Sequence, residues 1–181
     1  HIDALAREFA RTGARDPLYD IPHTTPHPGI IRGGEAVNIV ADRAEVVFEV
    51  RAIGADDPDD VVARIEAHAR KALEPEMRAV APEAGIDFEA VTGIAGLDTD
   101  PEAAIVGLAK RLAGRNRHSK VAFGTEAGFF DAIAGIPAVV VGPGSIGEAH
   151  KADEFIERAE LARCLAFLDR LIDHAATRTD V

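Results

Sequence analysis

The sequence holds one cysteine and one methionine in 181 residues. The lone thiol, Cys164, excludes an intrachain disulfide and any metal site built from several cysteines, which makes a reducing, cytoplasmic setting the expectation. Long hydrophobic runs are also missing. The longest, from Ile136 to Val141, contains a proline and falls far short of the roughly 20 residues a bilayer-crossing helix needs. Positive charge is in short supply, with 20 basic against 31 acidic side chains and a formal net charge of −11. Such a surface has no general attraction for phosphate backbones or anionic headgroups, so neither nucleic acid nor membrane is an expected partner.

The remaining composition, 47% hydrophobic with 10 prolines and 16 glycines, is that of a globular chain large enough for one ordinary domain or two small ones. The only methionine, Met77, sits among charged residues and a proline, and the chain opens at His1. Residues 1–11 carry Ile2, Leu5, Ala6 and Phe9 on one helical face, with neither an N-cap nor a secretory leader before them. The expectation is therefore a helix cut near its start, with further chain preceding it.

Four prolines between residues 13 and 29 make that stretch irregular. An extended segment follows from Gly29 to Arg32, turns at Gly33 and Gly34, and resumes over Ala36 to Val40. Ala44 to Ile53 alternates, with Val46, Phe48 and Val50 on one side, and reads as a strand covered on one face. Asp57 and Pro58 open a helix carrying Val61, Val62, Ile65, Ala69, Ala72 and Leu73, and Gly85 to Val91 alternates again as a strand. This is an α+β pattern. A boundary falls near residues 92–100, dividing the chain into 1–96 and 97–181. Beyond it, Pro101 opens a helix with Ile105, Leu108 and Leu112. Val121 to Phe123 reads as a short strand, Glu126 to Ala134 as a short helix, and Pro137 to Val141 as a strand buried on both faces of a parallel sheet, although a buried helical turn would look similar. Glu157 to Ala175 is a final helix with Leu161, Cys164, Leu165, Leu168, Leu171 and Ile172 on its buried side, and 176–181 is a frayed tail.

Small polar residues and glycines cluster at strand ends in the second half. Phe123, Gly124, Thr125 and Glu126 link a strand to a helix, and Gly142, Pro143, Gly144 and Ser145 follow the buried strand. In open α/β sheets such loops face one crevice, to which His150 can turn back. Each candidate also has a plain structural role. His150 alone is a surface or hydrogen-bonded histidine as readily as a metal ligand, because a metal needs three or more converging donors. His23 and His27 lie in a proline-stiffened loop. Asn38 is a turn residue and Arg51 a solvated strand residue unless something else enlists them. No phosphate-cradling pattern is present. Pro143 occupies the place where a nucleophile elbow needs glycine, so Ser145 does not mark a serine hydrolase.

The run from His23 to Arg51, with Gly29-Ile-Ile-Arg-Gly-Gly34 and Ala36-Val-Asn-Ile-Val40, closely resembles the lid or dimerisation domain of the M20 metallopeptidase family. A second run resembles the C-terminal half of that family's catalytic domain: Phe123 to Gly128, Gly142 to Ile146, and Ala149 to Phe155. The Phe-Gly-Thr-Glu form leans toward the acetylornithine deacetylase branch, with other deacylases and dipeptidases of the family as alternatives. Ala41 and Ala152 stand where the family commonly has proline, conformational positions that carry no reactive group.

The resemblance implies an α/β fold with an α+β lid: a partial lid domain over 1–96, then the C-terminal part of a zinc-peptidase-like catalytic domain over 97–181. It implies two zinc or cobalt ions in a protein about twice this length, and hydrolysis of a small N-acyl amino acid, N-acetylornithine in the favoured branch, by a metal-activated water. By that resemblance His150 is a ligand to one metal. Asn38 and Arg51 bind the substrate carboxylate or amide oxygens, reaching a partner subunit's site in a homodimer formed through the lid. Thr125, Gly144 and Ser145 line the substrate pocket. The other metal ligands and the general-base glutamate belong to the missing N-terminal half of the catalytic domain, so the chain by itself is expected to be inactive, or to persist as a dimerising or binding fragment.

Overall fold

The computed structural model describes residues 1–149 and 151–177. It has a mixed α/β architecture with a small open sheet, and divides into two compact units, His1–Gly93 and Ile94–Val181. The first unit runs α1 (Ile2–Thr12), β1 (Thr25–Gly33), β2 (Ala44–Arg51), α2 (Pro58–His68), a π turn (Ala69–Leu73) and α3 (Glu74–Val80).

β1 and β2 form an antiparallel hairpin whose register runs from Thr25↔Arg51 to Gly33↔Ala44, with an irregularity between Pro28 and Ile30. Prolines at 26 and 28 cannot donate to a ladder, so β1 bulges there. Helices α1 and α2 each carry an i, i+4 apolar pair, Leu5 with Phe9 and Val61 with Ile65, and these four side chains form the core against which Ile2, Phe48, Val50 and Phe88 pack. Asp57 caps α2 by accepting from the Asp59 N–H at 2.9 Å, and Pro58 occupies its first turn. Arg64 bridges α2 to Glu8 of α1 at 2.8 and 2.9 Å, its guanidinium 5.7 Å from the Phe9 ring centre.

Thr24 is fully buried where the chain enters β1. Its hydroxyl donates to Asp56 Oδ2 at 2.5 Å and accepts from the Ile53 N–H at 3.2 Å, tying the start of β1 to the loop after β2. Thr24→Val keeps the shape and removes both bonds. It is expected to lower stability by about 1–3 kcal/mol, the cost of a buried donor left unpaired. A lowered urea midpoint with an unchanged slope checks this, and an unchanged midpoint contradicts it.

Two expected strands of this unit are replaced. Residues 36–40 form a turn in which the Ile39 N–H donates to the Ala36 carbonyl at 3.2 Å. Gly34 at φ +72° has already turned the chain away from the ladder, which ends at Gly33↔Ala44. Residues 85–91 keep only part of the Ile86, Phe88 and Ala90 alternation that predicted a strand, with Ile86 and Phe88 half-buried but Ala90 exposed, and no ladder forms among the described residues. The Ile86 N–H instead donates to Glu74 Oε1 at 3.0 Å, and its carbonyl accepts from Arg70. Burial of alternate side chains produces a strand-like pattern whether or not the backbone has a neighbouring strand.

The second unit contains α4 (Ala104–Ala113), α5 (Ala127–Ala132), a 3-10 turn (Ile146–Glu148) and α6 (Arg158–Ala176). Val106, Ala109 and Leu112 bury one stripe of α4, which ends at Gly114 in the left-handed conformation. Arg170 of α6 donates to the Leu112 carbonyl at 2.6 Å, and Thr99 to the Ala138 carbonyl at 2.5 Å.

Here the expected buried elements are corrected. Neither 121–123 nor 137–141 is a strand, and Val140 and Val141 are exposed. A strand buried on both faces needs sheet neighbours and a layer on each side, and the described residues of this unit provide neither. Helix α6 forms over nearly the expected range, yet Leu161, Leu165, Leu168, Leu171 and Ile172 are exposed and Cys164 is half-buried. Periodicity sets which face is apolar, while covering it takes more packing than α4 alone supplies. Residues 178–181 of the expected frayed tail lie outside the described residues. Among the described residues no helix is long and apolar enough to cross a membrane.

Candidate functional site

In the first unit Asn38 sits in the loop between β1 and β2, its neighbours Val37, Ile39 and Val40 projecting into solvent. Arg51 ends β2, opposite Thr25. The seven residue steps from Ala44 to Arg51 span about 23 Å of strand. The hairpin therefore holds Asn38 and Arg51 at its two opposite ends, and one copy does not gather them around a single small molecule. Arg51 is half-exposed and engages Glu49 through Nε to Oε1 at 2.9 Å and Nη2 to Oε2 at 3.3 Å, so an incoming carboxylate competes with Glu49 for the guanidinium.

In the second unit Thr125 lies in the turn before α5, where its Oγ1 accepts from the Ala127 N–H at 3.3 Å. Gly144 adopts φ +93°, which favours glycine over any residue with a Cβ. Ser145 caps the 3-10 turn, its Oγ accepting from the Gly147 N–H at 3.2 Å. Both hydroxyls thus serve as backbone acceptors, and each retains an O–H able to donate to a carbonyl or carboxylate oxygen. His150 lies outside the described residues.

Among the described residues, no three His, Cys, Asp or Glu side chains gather to hold a metal ion. His23 is engaged locally, its Nδ1 3.1 Å from the Thr24 carbonyl, and His27 faces Glu49 across the hairpin. These residues do not by themselves fit a dinuclear centre.

A buried, charged side chain of the first unit had no role in the sequence pattern. Glu74 is 3% exposed, yet it carries a carboxylate flanked by Arg70 and by Arg78 at 3.1 Å. The Ile86 N–H, followed by Arg70, holds this carboxyl below the usual carboxylate range against the opposing effect of burial, and the bond to Glu74 raises Arg70. The signal was present in the sequence as Arg70, Glu74 and Arg78 at i, i+4 spacing on one helical face.

Residues 2–77 match the family profile described as a peptidase dimerisation domain. The chain is similar to acetylornithine deacetylases: 31% identical over 159 residues to that of Photorhabdus laumondii, covering 88% of this chain and 39% of the relative. The Myxococcus xanthus protein gives 31% identity, with 88% and 40% covered. The Proteus mirabilis protein gives 30% identity over 178 residues, with 96% and 43% covered. The chain thus spans about two fifths of the length of these curated relatives. The dimerisation-domain match lies in the first unit, and the similarity to acetylornithine deacetylases continues through the second.

Proposed function

We propose that this chain supplies the dimerisation domain, over 1–96, and the C-terminal catalytic portion, over 97–181, of a cytoplasmic metal-dependent amidohydrolase. Its reaction is removal of the acetyl group from N-acetylornithine, giving ornithine and acetate. The observation that carries this reading is the similarity to acetylornithine deacetylases across 88% to 96% of the chain, through both units rather than the dimerisation domain alone.

In this proposal Arg51 and Asn38 bind the substrate's carboxylate and amide oxygens. Their placement at opposite ends of the hairpin favours a homodimer in which a lid residue reaches a site in the other copy. Thr125 and Ser145 donate their remaining O–H groups to substrate oxygens, and Gly144 lets the backbone approach closely. His150 is one ligand of a zinc or cobalt pair whose remaining ligands, with the general base, belong to the portion of the catalytic domain that precedes this sequence in a protein of the relatives' length.

Two preparations test the reading. The 181-residue chain alone, supplied with zinc or cobalt, is expected to hydrolyse no N-acetylornithine. A protein of the relatives' length containing this sequence is expected to prefer N-acetylornithine to N-succinyl-diaminopimelate and to dipeptides by on the order of 100-fold in kcat/KM. Metal-dependent turnover by a homogeneous 181-residue preparation would refute the division of labour, and preference for a dipeptide would refute the substrate.

A further inference from the structure

The hairpin sorts its side chains by face. Phe48 and Val50 pack on the helix core and Pro26 is buried, so the alternate residues Glu49 and Arg51 of β2 share the opposite face with Thr25 and His27 of β1. On that face Glu49 holds Arg51 with both carboxylate oxygens, Oε1 accepting from Nε at 2.9 Å and Oε2 from Nη2 at 3.3 Å. It also lies directly opposite His27 in the ladder. Residues paired in this way have Cβ atoms about 4.5–5.5 Å apart, a gap that a glutamate and an imidazole can close. Along β2 the other same-face neighbour of Glu49 is Val47, whose side chain has no donor. Glu49 therefore stands between two donors, the guanidinium that holds it and the imidazole across the hairpin.

We infer that Glu49 is a stand-in carboxylate, which occupies the Arg51 guanidinium until a ligand carboxylate arrives and then transfers to His27. Resting on Arg51 as the residue that binds the substrate carboxylate, this gives Glu49 control over when that guanidinium is available. A ligand carboxylate has the same two-oxygen shape as the Glu49 side chain and takes over Nε and Nη2 in the same bidentate geometry. The displaced Glu49 turns across the ladder, where the His27 ring supplies an N–H donor in either protonation state. One carboxylate–guanidinium pair replaces another, and the carboxylate that leaves gains a new donor. A neutral amide has one acceptor oxygen and no charge, so it does not drive the exchange. Glu49 and His27 are positioning residues, acting on the ligand through Arg51.

Two experiments test the exchange. In the 181-residue chain, acetate is titrated at constant ionic strength while the Arg51 Nε–H and the His27 ring are followed by NMR, with acetamide as the control. Acetate is expected to shift both residues along one curve, and acetamide to shift neither. In Glu49→Gln, Arg51 is expected to respond at an acetate concentration lower by roughly five-fold, the scale of one exposed ion pair, and His27 to give no response. No response of Arg51 to acetate, or the same midpoint in both proteins, overturns the stand-in. A shift of Arg51 that leaves His27 unmoved in the unsubstituted chain overturns the transfer. In a protein of the relatives' length containing this sequence, His27→Leu is expected to raise KM for N-acetylornithine by roughly three-fold at unchanged kcat, and His27→Gln, which keeps an N–H donor, to retain the original KM. Equal KM for His27→Leu and the unsubstituted protein overturns the transfer. Arg51→Gln separates the two readings. An unchanged KM overturns Arg51 as the carboxylate residue and the stand-in with it, whereas a raised KM beside a failed acetate exchange overturns the stand-in alone.

Discussion

Gly128→Ala is expected to cost the second unit about 3 kcal/mol, the upper end for inserting a methyl group into packed structure. Gly128 is the buried residue of α5, and the backbone of 95–96 crosses directly over its Cα. A Cβ there would overlap the Ala95 carbonyl oxygen and lie 2.7 Å from its carbonyl carbon and 3.1 Å from the Gly96 carbonyl carbon. These are backbone atoms, which cannot swing aside as a side-chain end can. By contrast, a Cβ at Gly124 meets only the tip of Ile94, at 2.8 Å, and Gly124→Ala is therefore the milder change. The chain has no tryptophan and its one tyrosine, Tyr19, is in the first unit, so fluorescence reports little on the second. Hydrogen exchange over 94–96 and 127–132 is the appropriate measurement. Unchanged protection there would show that the 95–96 backbone moves away from α5 without cost.

Leu5→Ala is expected to destabilise the first unit by about 3–4 kcal/mol, within the range for truncating a fully buried leucine. Leu5 is 1% exposed and sits among Phe9, Val61 and Ile65, where α1 meets α2. Domain stabilities of about 5–15 kcal/mol make a loss of this size a large share of the whole. Three short helices, a π turn and a two-stranded hairpin leave few other contacts to take it up. Arg7→Ala, two residues along the same helix, is the control. The Arg7 side chain is 76% exposed and pairs with Asp3 at 2.7 Å, so its loss should cost about 0.5 kcal/mol or less. Urea denaturation followed by far-UV circular dichroism separates the two, and equal midpoints for both variants would contradict the assignment of Leu5 to the core.

Helices were the most legible part of this sequence because each announces itself within its own residues. Leu5 and Phe9, Val61 and Ile65, and the Asp57-Pro58 start are local signals, and all lie where they were expected. The β2 strand was legible for the same reason, since Phe48 and Val50 turn toward the helices. The candidate site was legible chiefly as motifs, and those motifs carried the family resemblance; periodicity gave no role to Asn38, Arg51 or Ser145.

Tertiary structure decided what depends on a partner distant in sequence. The alternation at 85–91 shelters Ile86 and Phe88 alone, and the backbone there is met by Glu74 and Arg70 rather than by a neighbouring strand. The apolar run at 137–141 and the leucine face of α6 set out what those segments would bury, but not what would cover them. The distance between Asn38 and Arg51 likewise followed from the hairpin register, which is a property of two paired strands rather than of either one. Helical periodicity is written in residues three and four apart, whereas pairing and burial are satisfied only by groups the chain brings together after it folds.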